Sequence, residues 1–290
     1  MRFRFIDAER AGLAMPISRL CKLLQVSVSG YYAWRKRGPS QRQLDDMVLL
    51  AHVRAAYRGS RETYGAERVH HELVENGVEI GRHRVARLMR DNDLSPKRKQ
   101  KFKKTTDSKH NKAVTSNLLD QDFSAQAPNE KWAGDISYIW TAQGWLYLAV
   151  ILDLFSRRVV GWAAGPRMTS ELPLRALNRA IALRRPSPGA IHHSDRGSQY
   201  CSDVYQARLG ELGFLVSMSG KGNCYDNAAV ETFFKTIKSE LIWRTVFMSR
   251  NQAEIAIAGY IDGFYNPVRR HSTLGFISPV KFETNALQPA

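Results

Sequence analysis

Residues 132–164 read WAGDISYIWTAQGWLYLAVILDLFSRRVVGWAA. The runs 132–140 and 145–152 are apolar, β-branched or aromatic, and the link Thr141-Ala-Gln-Gly144 between them has the composition of a hairpin connection. Ser156-Arg157-Arg158 then separates the second run from 159–164, a third strand. Downstream the pattern alternates. Leu172, Ala176, Leu177, Ala180 and Leu183 line one face of a helix over 170–184, and a short strand follows at 190–193. A helix over 202–212, a strand at 214–218 and a helix over 226–241 complete the series. Three antiparallel strands followed by alternating helix and strand predict an α/β domain with a five-stranded mixed sheet flanked by helices.

Acidic residues stand at awkward places in this frame. Asp135 interrupts the first strand beside Gly134, where a charge is expensive to bury unless it is paired or metal-bound. Asp195 follows the fourth strand in His192-His-Ser-Asp195-Arg-Gly-Ser-Gln-Tyr200, and strand C-termini are where sites gather in open α/β sheets. Glu231 lies in the 226–241 helix. At about 100° per residue, Val230, Phe233, Phe234, Ile237 and Leu241 share one apolar arc, Glu231 lies beside it, and Lys238 returns to within about 20° of Glu231. Alone, Glu231 reads as a surface residue paired with Lys235 at i,i+4; beside the two aspartates that reading weakens. Three carboxylates suit a pair of Mg²⁺ ions, with Mn²⁺ able to stand in, clamping an in-line displacement at a phosphodiester. Lys238, and Lys235 with it, would then meet flanking phosphates. Neighbouring strand residues face opposite ways, so at most one of His192 and His193 can serve such a site. Asp153 reads as a turn residue and Cys224 as a structural thiol.

The front of the chain is different. Of 43 Lys+Arg in 290 residues, 25 lie in 1–112 together with 12 of the 27 Asp+Glu, so most of the net charge of +16 is there. Such an excess favours a polyanionic partner. Ile17, Leu20, Leu23 and Leu24 fall at helical spacing, and Ser27 can cap a second helix that carries Tyr31, Tyr32 and Trp34 and ends in Arg35-Lys36-Arg37. That is the layout of a helix-turn-helix, although a single unit reads equally well as an ordinary helical hairpin. A second unit follows: a helix over 65–76 is stopped by Gly77, and another opens after Gly81 with Val85, Leu88 and Met89 inward and Arg82, Arg84, Arg87 and Arg90 around them. Two units in tandem point to DNA contact. Residues 95–112 hold eight Lys+Arg, beginning Lys97-Arg98-Lys99, and read as a basic tether that can also track phosphates.

Three widely spaced cysteines exclude a disulfide scaffold and a CxxC zinc cage. The longest apolar stretch, 145–152, is far too short to span a bilayer, and charge interrupts the N-terminus too early for a secretion signal. The expectation is a cytoplasmic protein with no membrane partner.

The local words carry a resemblance. Asp135, Asp195 and Glu231, the last two with thirty-five residues between them, resemble the D…D(35)E pattern of retroviral-integrase-like transposases. The words around Asp195 and Glu231, with Lys221-Gly-Asn-Cys-Tyr-Asp-Asn-Ala and the tail Tyr265-Asn-Pro-Val-Arg-Arg-His271-Ser-Thr-Leu-Gly275, are similar to the B-frame transposases of insertion sequence family three. Ser29-Gly-Tyr-Tyr-Ala-Trp34 and Tyr64-Gly65 match the front half of that family.

The resemblance implies an RNase H-like core, Mg²⁺-dependent cleavage at element ends and strand transfer by a DNA 3′-hydroxyl. It implies Asp135, Asp195 and Glu231 as the catalytic and metal-binding set. It further implies double-stranded DNA (terminal repeats and target), an A-frame protein of the same element and a homo-multimer as partners, in a bacterial nucleoid-associated setting. The expected division is a helix-turn-helix region at 1–60, a second such unit at 61–94, a basic linker at 95–127, the core at 128–245 and a helical extension at 246–290. The competing reading is a non-catalytic DNA-binding regulator of its own element; an RNase H acting on RNA–DNA hybrids would leave the tandem units unexplained.

Overall fold

The computed structural model describes residues 1–10, 15–96, 115–220 and 224–288, with the side chains of 224 and 225 left aside. Cys224, Lys97, Arg98 and Lys99 therefore fall outside what is described.

The front opens with three short helices, α1 (Arg2–Glu9), α2 (Ile17–Leu23) and α3 (Val28–Lys36). Ser27 caps α3 as its sequence position suggests, accepting from the Gly30 N–H at 3.0 Å. Ile6, Leu20, Cys21 and Tyr31 close a small core of their own. Next come α4 (Gln41–Gly59), α5 (Ala66–Glu75) and α6 (Arg82–Arg90). A capping box between Ser40 and Gln43 starts α4. Gly77, at φ +77°, takes the left-handed turn after α5 that a side chain would strain.

Val53 and Tyr57 of α4 pack with Val69, Leu73, Val85, Leu88 and Met89. The boundary expected at 60/61 thus cuts through one packed unit, because the apolar stripe of α4 has no other cover. This unit does not stand apart from the rest. Its residues belong to the same apolar cluster as Leu148, Val150, Phe233 and Tyr260. The Tyr64 hydroxyl accepts from the Arg270 N–H at 2.7 Å, and Arg270 Nε donates to Glu72 at 2.6 Å.

The sheet follows the sequence pattern closely. β1 (Lys131–Thr141), β2 (Gly144–Asp153) and β3 (Val159–Gly165) form an antiparallel meander with Ala142 and Gln143 at the hairpin tip. After α7 (Glu171–Arg184), β4 (Ile191–Ser194) pairs parallel with β1; after α8 (Asp203–Glu211), β5 (Leu215–Met218) pairs parallel with β4. The order is β3-β2-β1-β4-β5. Alternation sends Trp132, Ala149, Ile151 and Val160 to the α7–α8 side, and Ala133, Ile139, Leu148 and Val150 to the other. Each fully buried side chain of this size contributes about 1.5–3 kcal/mol. Gly161 lets α7 approach: a β-carbon there would run into the Ala176 carbonyl.

On the second face lie α9 (Ala228–Glu240), α10 (Arg250–Tyr260) and a π-helical turn at Ile261–Tyr265, while α11 (Pro279–Leu287) joins the β2–β3 turn and α7 through Glu283. The rear of the expected linker is built in rather than solvated. Leu119 is buried in the main core, and the Leu118 N–H donates to the Ser217 hydroxyl at 2.9 Å, beside β5. Among the described residues no helix is long and apolar enough to cross a membrane.

Candidate active site

Strand register brings the two aspartates together. Gly134 of β1 aligns with Ser194 of β4, so Asp135 and Asp195 come next, side by side, where the parallel pairing ends. Each is held by a local N–H: Ile136 donates to Asp135 Oδ1 at 2.7 Å, and Gly197 donates to Asp195 Oδ1 at 2.9 Å. The third acid arrives on α9. Asn227, at its N-terminus, donates through Nδ2 to the Gly134 carbonyl at 3.3 Å, hanging the helix on the strand that carries Asp135.

The electrostatics register this convergence. Burial pushes the Asp135 carboxyl well above its usual range; the charge of Asp195 pushes it the same way, Glu231 adds to the rise, and the Ile136 N–H and Lys238 oppose it. Lys238 is buried, only 5% exposed, with Nζ 5.0 Å from the centre of the Tyr138 ring. Burial lowers its pKa to about 8, opposed by Asp135. The ammonium of Lys238, read from the sequence as a contact for a flanking phosphate, lies inside the site, because the helix edge it occupies is covered by β1. Lys235 pairs with Glu231 at 3.3 Å, the ordinary i,i+4 contact.

Tyr200 was not singled out in the sequence, although it ends the word that begins at His192. Its phenol is wholly buried, has no hydrogen-bond partner among the described residues, and is raised well above its usual pKa by burial first, then by Tyr205, Asp135 and Asp195. Gly134 makes room for it: a β-carbon there would stand 3.3–3.4 Å from the Tyr200 and His192 rings. Only the nearness of Asp135 and Asp195 distinguishes this tyrosine from a core residue, and it depends on the register of β1 against β4.

The histidines take opposite sides, as alternation requires. His192 meets the Tyr205 hydroxyl at 3.0 Å, and His193 lies between the hydroxyls of Ser217 at 2.9 Å and Ser219 at 3.2 Å. Burial lowers their pKa values to about 3 and about 4, so both are neutral. Asp153 is more than a turn residue. It is fully buried, accepts from the N–H groups of Asn129 and Phe155, and meets Arg184 at 3.3 Å, within a network that includes Glu283.

The arginines of α6 are partly committed within the fold. Arg84 and Arg87 both reach Asp46 of α4, at 2.8 and 2.7 Å; Arg82 meets Glu67 at 3.6 Å and Arg90 meets Asp91 at 3.7 Å. Arg35 lies 3.6 Å from Asp7, whereas Lys36 and Arg37 are exposed.

Among the described residues no three His, Cys, Asp or Glu side chains stand close enough together to hold an ion. The donor chemistry still suits hard divalent cations: all three are hard oxygen donors, and the charges of Asp195 and Glu231 push the desolvated Asp135 carboxyl up. Closing the set would draw Glu231 away from Lys235.

Comparison with known proteins agrees with this architecture. A family described as an integrase core domain matches residues 125–224, a second of that description matches 212–279, and an HTH-like domain matches 43–102. The last starts within α4, in line with the packing of α4 on α5 and α6. The chain is 46% identical over 271 residues to the insertion element IS600 uncharacterized 31 kDa protein of Shigella sonnei, covering 93% of this chain and all of that one. It is 43% identical over 289 residues to the transposase InsF for insertion sequence IS3A of Escherichia coli, covering 99% of this chain and all of the relative. Among solved structures, a simian T-cell lymphotropic virus intasome in complex with PP2A regulatory subunit B56 gamma aligns at TM-score 0.47 and 21% identity, over 62% of this chain and 60% of that one. The HTLV-2 integrase catalytic core domain in complex with magnesium aligns at TM-score 0.42 and 17% identity, over 55% and 98%. With identity above 40% running from end to end and an integrase core beneath it, this chain belongs to the transposases of insertion sequence IS3, which are polynucleotidyl transferases.

Proposed function

We propose that Asp135, Asp195 and Glu231 are the catalytic carboxylates of this transposase and that they hold two Mg²⁺ ions, or Mn²⁺ in their place. The observation that carries the reading is the register of β1 against β4, which sets Asp135 beside Asp195 where the parallel pairing ends, with the helix of Glu231 tied to the same strand through Asn227. Like charges around a desolvated carboxyl suit divalent ions and a phosphodiester. Asp135, Asp195 and Glu231 would hold the ions between them. When bound, the ions supply activation of the attacking oxygen and charge stabilisation at the leaving one.

The chain's own groups do the rest. Lys238, packed against Tyr138, offers a buried positive charge beside Asp135 and so keeps the carboxylate face oriented. Tyr200 backs both aspartates from the core side and keeps water out from behind them. The reaction is cleavage at the element ends followed by attack of the freed 3′-hydroxyl on target DNA. The α1–α6 region and the basic run through Lys97, Arg98 and Lys99 contribute phosphate contacts, with Lys36 and Arg37 the most available of the described candidates. Two DNA ends handled together call for a homo-multimer, with the A-frame protein of the same element assisting.

Asp195→Asn is the direct test. Nicking and joining of DNA carrying element ends should fall by about three decades or more, several kcal/mol of transition-state stabilisation, while DNA binding by the same variant persists. Nicking at the wild-type rate removes Asp195 from the site. Titration of the wild-type chain with Mn²⁺ in the presence of DNA gives an independent reading, since the bound ions should disappear in the triple Ala variant.

A further inference from the structure

Behind α9, on the side away from Glu231, lies a cavity of about 740 Å³, within the range that accepts nucleotide-sized ligands. Its walls come from the HTH-like unit (Arg68), the turn between β2 and β3 (Arg157), α9 (Thr232 and Thr236) and the C-terminal segment (Arg269 and His271). At about 100° per residue, the α9 positions lining it centre roughly 120° round the helix from the Glu231–Lys238 edge. The helix therefore has three sides: one toward the carboxylates, one toward the core and one toward this cavity.

The charges in the cavity do not balance. Arg269 is satisfied by Glu240, which it grips at 2.7 and 2.9 Å. Arg68 and Arg157 are not. Among the described residues, Arg68 meets the face of Tyr64 at 5.8 Å and no carboxylate at ion-pair distance, and Arg157 reaches only the Phe123 carbonyl, at 3.4 Å. Both guanidiniums are partly buried, and burial disfavours their charge. Arginine does not shed its proton to escape that penalty, and an anion in the cavity would relieve it. The lining holds four arginines, Arg68, Arg157, Arg244 and Arg269, against one carboxylate, Glu240. The chain's own next segment is a poor candidate for the anion: Pro96 lines the cavity, and residues 97–114 carry eight Lys+Arg against Asp107 alone.

We propose that this cavity is a phosphate-binding site, distinct from the three carboxylates, that takes a phosphate of a nucleic-acid strand or of a free nucleotide. Guanidinium forks on the cavity wall suit the bidentate recognition of phosphate oxygens. Phe233 and Tyr265 provide apolar wall for the sugar or base beyond it. The site does not depend on the role given to Asp135, Asp195 and Glu231.

Calorimetric titration of the full chain without divalent metal, using inorganic pyrophosphate, AMP and a short oligonucleotide in turn, tests it. Saturable binding of at least one of these is expected, weakened about tenfold or more by Arg68→Gln and by Arg157→Gln, the loss of one charge-assisted hydrogen bond each. It should be unchanged in Asp195→Asn. Arg157 adopts φ +61°, so if its replacement disturbs folding, Thr232→Trp, from an exposed position at the cavity wall, serves as the second variant and should also abolish binding. Oligonucleotide binding that depends on Arg68 assigns the site to strand phosphates, and pyrophosphate or AMP binding alone assigns it to free nucleotides. No saturable binding of any of the three, or affinities that Arg68→Gln and Thr232→Trp leave at the wild-type level, overturns the proposal.

Discussion

Two groups of acidic side chains sit on this sheet, and the fold treats them in opposite ways. Glu283 receives hydrogen bonds from the Ser156 hydroxyl and from Arg158 and Arg184, all at 2.7–2.8 Å, and Asp153 receives two backbone N–H groups and Arg184. Asp135, Asp195 and Glu231 repel one another with a buried lysine nearby and a surface lysine on Glu231. The first group is saturated with donors and rivets α11 and α7 to the end of β2. In the second, like charges press on a buried member and push its carboxyl up. A carboxylate cluster saturated with donors serves stability; one in which like charges strain a buried member is the kind of arrangement found at functional sites.

The largest effect that separates the two groups should come from Asp135→Asn. Strand cleavage should fall by at least about three decades, yet the variant should melt at a higher temperature than wild type. The sign follows from linkage. A carboxyl whose folded pKa is raised destabilises the folded state once pH passes the unfolded value, and the penalty is complete above the folded one. Removing the ionisation removes the penalty at neutral pH. Differential scanning calorimetry decides it, and a lower Tm for Asp135→Asn would mean that the repulsion is already relieved within the chain.

Glu283→Ala should do the reverse. Stripping one partner from a buried network costs about 3–5 kcal/mol, so a large drop in Tm is expected, with cleavage by the remaining folded protein near normal. Burial raises the Glu283 pKa, but its hydrogen bonds to Arg184, Ser156 and Arg158 outweigh that and hold it below the usual carboxylate value. Its contribution is therefore present above the unfolded pKa and is lost as pH falls through the folded one. Acid denaturation of Glu283→Gln should accordingly be less steep than that of wild type. At Asp153 burial prevails over the same arginine and its pKa is raised, so the acid sensitivity is assigned to Glu283.

The smallest effect concerns DNA. Asp46→Asn releases Arg84 and Arg87, groups about a third exposed whose surface pairing contributes little, so stability should barely move. If the freed guanidiniums reach phosphate, the slope of log K against log salt should steepen by about 0.9 per new contact. An unchanged slope would restrict α6 to holding its own unit together.

How far the sequence revealed these two groups follows from the distances involved along the chain. The strands were legible because alternation and turn residues are local, and β1 to β5 lie within a residue or two of the expected runs. Asp135 was legible because it breaks an apolar run, and Asp195 because it follows a strand end. Lys238 was located on the right helix edge, but its burial depends on Tyr138, a hundred residues upstream. Asp153 looked like a turn residue because Arg184 and Glu283 reach it only after α7 and α11 have packed. Arg84 and Arg87 of α6 looked available because their partner Asp46 precedes them by some forty residues. The apolar stripe of α4 lies among polar and charged residues, so its union with α5 and α6 appears only in the packing.

The link from Asn227 to the Gly134 carbonyl sets a ruler along α9. Glu231 stands four residues beyond that anchor, a little over one helical turn, and thus faces back toward the strand on which the anchor is fastened. A single residue inserted between 227 and 231 would leave the helix intact and its N-terminus tied down, yet rotate the carboxylate by about 100° away from the aspartates. In this short interval evolution has little freedom to add or delete, whatever latitude it has elsewhere between the second and third acids.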